Sequence, residues 1–103
     1  MIIVTIDYIP GKEFDVLGIA KGTVIQSRHV GKDITAGLKT LVGGELTSYT
    51  EMMNEARAKA TQRMAANAID MGADAIICMR YASSAVMQGA AEILAYGTAV
   101  KLK

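Results

Sequence analysis

The chain has 103 residues, enough for one domain, with a net charge of +1 and one cysteine. That charge gives no field to draw nucleic acid or an acidic membrane, and one cysteine excludes an internal disulfide and fits a reducing compartment. The hydrophobic fraction is already 51% before ten glycines are counted, and charged residues are only 20%; a domain this small has too little interior to hide such an excess, so part of its apolar surface is expected to lie against another copy or a partner.

The N-terminal run MIIVTIDYIPG has no basic region ahead of its apolar residues and no small-residue cleavage site, so it reads as mature structure. Ile2 to Ile6 predicts a first strand, ended by Asp7 and the turn pair Pro10-Gly11. Val16 to Ser27, VLGIAKGTVIQS, predicts a long strand with Leu17, Ile19 and Ile25 on one face and Val16, Ala20 and Val24 on the other. Apolar residues on both faces imply that both are at least partly covered. Gly18 and Gly22 mark a bulge or a close backbone approach.

Ile34, Leu38, Leu41 and Val42 have helical spacing after Asp33, which predicts a short first helix broken by Gly43-Gly44. The stretch from Ser48 to Gly72 predicts a long helix of about 24 residues, roughly 36 Å at 1.5 Å per residue. Ser48 and Glu51 have the spacing of a capping box, and Gly72 stands where a left-handed residue ends a helix. Tyr49, Met53, Ala56, Ala60, Met64, Ala68 and Met71 recur at three and four residues and form one face, which Met52, Ala65 and Ile69 widen toward a second contact. A compact domain of this size has a radius of gyration of about 13 Å, so this helix is expected to cross the whole subunit.

After Gly72, a strand centred on Ile76, Ile77 and Cys78 is followed by a small-residue connection from Ala82 to Gly89, and AAEILAYGTAVKLK makes a last strand with Gly97 in its middle. There is no repeat or linker, so residues 1–103 form a single domain. The order predicts an α+β fold, with a small antiparallel sheet packed against one long helix plus a short helix.

No residue set specifies a reaction. Cys78 and His29 are the weak metal-ligand candidates, and a closed structural zinc site needs about four Cys or His ligands, more than one chain supplies. A lone cysteine in an apolar strand is usually a core residue, and His29 more readily makes a local hydrogen bond. The seven methionines suit a soft ion such as copper(I), but Met52, Met53, Met64 and Met71 have the spacing that core packing alone gives. Ser83, Ser84 and Cys78 lie far in sequence from the only histidine, so no nucleophile-base pair is indicated. Glu92, in AAEILAY, is either paired across an interface or turned to water, because a buried unpaired carboxylate is too costly. Gly43-Gly44 lacks the lysine and hydroxyl of a phosphate loop, and GxGxxG is absent. Glu55, Lys59 and Arg63 read as a solvated helix face. No cofactor, nucleic-acid or membrane partner is called for, and a soluble cytoplasmic protein is the default.

The segments LGIAKG, VGGE, YTEMMNEARAKATQRM, MGADAI and QGAAEILAYGTAV together resemble the YbjQ-like family of uncharacterised small proteins, often labelled heavy-metal-binding, essentially end to end. The resemblance implies an α+β subunit assembled into a ring, a homopentamer, with strands and the long helix at the subunit contacts. It implies no established activity and no ligand motif that maps onto this sequence. Two functional expectations follow: a non-enzymatic cytoplasmic homo-oligomer presenting a surface or pore to an unknown small ligand or partner, or a soft-metal binder with sites shared between subunits.

Overall fold

A computed structural model describes residues 1–27 and 45–103 and the backbone of 41–42, with backbone alone for 45–48. Its elements are β1 (Ile2–Ile3), β2 (Phe14–Ser27), β3 (Leu41–Val42), β4 (Glu45–Leu46), α1 (Thr47–Asp70), β5 (Ala75–Met87) and β6 (Ala90–Leu102). The main sheet runs β1-β5-β6-β2, antiparallel except for β1, which pairs parallel to β5. The sheet is therefore mixed rather than antiparallel throughout. β1 is also shorter than expected, although Val4 still donates its N–H to the Ile76 carbonyl at 2.9 Å.

Three further expectations need correction. Leu41 and Val42 lie in a two-residue ladder with β4, not in a helix, while the rest of the expected short helix lies outside the described residues. The stretch from Ala82 to Met87 is strand, not connection: β5 and β6 form a hairpin closed at Gln88-Gly89, where Gly89 has φ 77°. Small polar and apolar residues there resemble a loop in composition, but their backbone groups continue the ladder. Finally, the subunit measures 53 × 25 × 17 Å with a radius of gyration of 16.8 Å, so a helix of 24 residues does not cross it end to end.

The helix itself is close to expectation. It starts at Thr47, one residue before Ser48, whose capping side chain lies outside the described part. Its end is a Schellman motif: Gly72, at φ 89°, donates to the Ile69 carbonyl at 2.9 Å, and Ala73 donates to the Ala68 carbonyl at 3.0 Å. Ala56, Ala60, Met64 and Ala68 are buried against Ala20 and Val24 of β2 and Ile93, Ala95 and Ala99 of β6. Met52 is buried too, but Ile69, expected at a second contact, is exposed.

Alanine and glycine at this interface bring the backbones unusually close. A Cβ built on Gly22 would overlap the Ala60 carbonyl oxygen and the Met64 nitrogen and stand 2.8 Å from the Arg63 Cβ. The close approach read from Gly22 is thus a direct crossing of α1 over β2. Gly18, at φ 141°, adjoins a register shift in the β2-β6 ladder, which is the expected bulge. That bulge also turns Val16 away from the face that holds Ala20 and Val24, contrary to simple alternation.

A second apolar cluster sits on the opposite face of the sheet at one end only. Ile9, Ala75, Ile77 and Val100 are buried there, with Val4, Phe14, Cys78 and Leu102 packed against them. The segment between β1 and β2 supplies this cover, and it reaches no further along the sheet.

Candidate interaction surface

The remainder of that second face is bare. The ladders place Ile19 beside Thr98, Lys21 beside Tyr96 and Arg80, Thr23 beside Leu94 and Ala82, and Ile25 beside Glu92 and Ser84. Side chains directly opposite on adjacent strands share a face. Val16, Ile19 and Ile25 are 64%, 73% and 64% exposed, and Tyr96 is exposed beside them. The expectation that both faces of Val16 to Ser27 are at least partly covered therefore fails within one subunit. Glu92 stands on this bare face, partly buried between Ile25 and Ser84.

The two long edges of the sheet differ. Along β2, the Asn67 side chain accepts the Lys21 N–H at 3.0 Å, and Arg63 donates to the Thr23 carbonyl at 2.7 Å. The helix thus occupies outward backbone groups of β2, and Arg63 is a cap rather than part of a merely solvated face. The Glu55-Lys59 pair, by contrast, is an exposed i,i+4 ion pair at 3.0 Å, as its spacing predicts. Along β5, every residue from Arg80 to Met87 is exposed. Among the described residues two side-chain ties steady this arm, from the Arg80 guanidinium to the Thr5 carbonyl at 2.9 Å and between the Thr61 and Tyr81 hydroxyls at 2.6 Å.

Cys78 sits in the β5 bulge with its backbone in the left-handed region, φ 54°. Such a conformation costs of order 1–3 kcal/mol in a non-glycine residue. It is held by hydrogen bonds from Cys78 N–H to the Ile6 carbonyl and from Met79 N–H to the Val4 carbonyl, at 2.9 and 3.0 Å. Gly97 fits opposite, where a Cβ would be 3.0 Å from the Ile77 carbonyl oxygen. The thiol is half-buried against Ile9, Ala75, Ile77 and Val100. His29 lies outside the described residues. Among the described residues no three His, Cys, Asp or Glu side chains converge, so the described part of one subunit does not fit a metal centre.

Asp74 ties the start of β5 to the end of β6. It accepts the Leu102 N–H at 2.9 Å and the Lys101 ammonium at 3.2 Å. The backbone hydrogen bond from Leu102, followed by that from Lys101, holds its carboxyl below the ordinary aspartate range.

Residues 1–103 match the YbjQ family, described as "Putative heavy-metal-binding". The chain belongs to this family. A UPF0145 protein of Alkaliphilus metalliredigens is 68% identical over 98% of both chains, and one of Clostridium novyi is 61% identical over 99% of both. A crystal structure of a DUF74-family protein of unknown function from Pediococcus pentosaceus aligns with a TM-score of 0.71 at 18% identity, covering 100% of this chain and 98% of that one. At that identity the likeness shows the fold. No helix among the described residues of this YbjQ-family chain is long and apolar enough to cross a membrane.

Neither the bare face nor the open β5 edge was singled out from sequence. Alternation in β2 carried the signal for the face, since Leu17, Ile19 and Ile25 were visible as a second apolar set.

Proposed function

We propose that the protein is a cytoplasmic, non-enzymatic homo-oligomer, a ring of five subunits, whose assembled surface or pore receives a small ligand or partner. The observation that carries the assembly is the bare sheet face: Ile19 and Ile25 stand largely in water beside Val16 and Tyr96, although the crossing of α1 over β2 is lined mostly with alanine and glycine. Burying one such isoleucine is worth about 1.5–3 kcal/mol, so another copy laid on this face gains several side chains at once. The subunit number five and the ring come from the family resemblance.

The family description favours a second reading, a soft-metal site shared between subunits. Only Cys78 of the described residues supplies a soft donor besides methionine, and its apolar surroundings suit a packed thiol better than a ligand. Native mass spectrometry of protein purified from its own host tests both readings together. The first predicts a five-subunit mass without stoichiometric zinc, copper or cadmium. A metal-loaded ring whose metal is lost in Cys78→Ser would put the second reading in its place.

A further inference from the structure

We propose that the cross-strand row Lys21-Tyr96-Arg80 on the bare face binds a small polyanion of the inorganic diphosphate class. The proposal rests on the reading above, in which the assembly receives a small ligand, and gives that ligand a charge and a place.

The ladders set these three residues side by side across β2, β6 and β5, and all three are exposed. The Lys21 N–H points outward to Asn67, so Lys21-Tyr96 is a pair that exchanges no backbone bonds, the closer antiparallel type at about 4.5 Å between Cα atoms. Arg80 follows on the other side of Tyr96 at about 5.5 Å, which spaces the two cationic residues about 10 Å apart with a phenol between them.

Neither cation is neutralised among the described residues. The ion pairs there join Lys59 to Glu55, Lys101 to Asp74 and Lys103 to Asp15, and the Lys21 ammonium has no hydrogen-bond partner. Arg80 donates from Nη1 to the carbonyls of Thr5 and Met79, at 2.9 and 2.8 Å. Those carbonyls carry no net charge, so they hold the guanidinium in place while leaving its charge and its other N–H groups available. Glu92, the carboxylate on the same face, lies four residues along β6 from Tyr96, about 13 Å at 3.3 Å per residue. That exceeds the Debye length of about 8 Å at physiological ionic strength, so Glu92 does little to compensate the row.

For the fold alone, two like charges in one row are unfavourable, and an anion laid over Tyr96 reverses the sign. The neighbouring rows add no carboxylate to repel it: Ile19 and Thr98 lie on one side, and Thr23, Leu94 and Ala82 on the other. A guanidinium fork, an ammonium and a phenolic O–H are all donors to phosphate oxygens. Diphosphate carries charged oxygens at both of its ends and so can meet both cations, whereas a single phosphate group meets one.

The test is calorimetric titration of the full chain with inorganic diphosphate at fixed ionic strength, with the light-scattering mass read on the same samples. Saturable binding at one site per subunit is expected, weakened about tenfold or more by Lys21→Gln, as for a lost charge-assisted hydrogen bond. Arg80→Gln should weaken binding as much, read beside circular dichroism because Arg80 also ties Thr5. Lys59→Gln, whose cation belongs to the helix-face pair, should leave binding unchanged. No saturable heat, heat that sodium chloride reproduces, or equal affinity in Lys21→Gln would overturn the proposal. A multi-subunit species that does not bind overturns the site and leaves the assembly standing, while a single subunit that binds supports the site and overturns the assembly. Binding that appears only in Glu92→Gln would assign the row to a carboxylate of a second copy and overturn the free-ligand proposal.

Discussion

The two faces of the sheet differ most along β2, which puts its smallest residues under the helix and its isoleucines on the other side. Under α1, β2 presents Gly18, Ala20, Gly22 and Val24 and β6 presents Ile93, Ala95, Gly97 and Ala99 to Ala56, Ala60, Met64 and Ala68, whereas the bare face carries Val16, Ile19, Ile25, Leu94 and Tyr96. Small residues allow backbone-to-backbone contact but bury little area each, so the helix is fixed by closeness of fit. Val24, Ile76, Met79 and Ile93 of the sheet, with Met64 of the helix, add larger buried side chains to this contact, while Val16, Ile19 and Ile25 of β2 stay outside. The covered face shapes the subunit, and the bare face leaves apolar side chains exposed on a single subunit.

Changes at the covered face should sharpen this contrast most. Gly22→Val places carbon atoms inside the α1 backbone, which cannot rotate away as a side chain would. A loss of about 3 kcal/mol or more is expected, at or above the upper end of ordinary overpacking, read by denaturant unfolding of the monomeric state. Ala60→Leu attacks the same crossing from the helix side and should cost about 1–3 kcal/mol, while Ala58→Leu, on the exposed side of the helix, should be nearly neutral. Equal losses from these two would mean that the helix is fixed by some other face.

Much of this was legible because helix and turn chemistry is local. The Ala56-Ala60-Met64-Ala68 stripe, the Gly72 stop and the roles of Gly18 and Gly22 follow from spacing and from what glycine permits. The β5 extension was missed because Ala82, Ser83, Ser84 and Ala85 carry no strand pattern of their own, and their pairing is decided by β6 across the hairpin. β1 was legible as extended chain, but its parallel docking depends on residues more than seventy positions away. The Val16 reversal depends on a bulge whose position alternation alone does not give. Cys78 was read as a core residue, and it does pack against one cluster, but its left-handed backbone arises from tertiary contacts with Val4 and Ile6. The site itself was legible only as an imbalance, too much apolar sequence for one small interior.

Smaller effects belong to the edge and the ladder end. Asn67→Ala and Arg63→Ala each remove one cap from β2, and each should lower stability by about 1 kcal/mol. If their principal role is to guard the edge, the variants should also aggregate faster than wild type in turbidity measurements. Asp74 gives the smallest and most specific effect. Its folded pKa lies below the unfolded value, so its contribution is present above the ordinary aspartate pKa of about 3.9 and is lost as pH falls through the folded value. Asp74→Asn should therefore flatten the stability profile below about pH 4 relative to wild type, measured by thermal unfolding across that window. An unchanged acid limb would remove Asp74 from the account.

The most direct test of the bare face is the light-scattering mass at micromolar concentration of the wild type and of Ile19→Lys/Ile25→Lys. Both substitutions lie in exposed positions of the single subunit, so its fold should be retained and its circular dichroism unchanged. The wild type is predicted to give a multiple of the 10.9 kDa subunit mass, and the double variant the mass of one subunit. A wild-type mass of 10.9 kDa, or a double variant that keeps the full assembled mass, would contradict the claim that this face is covered by another copy.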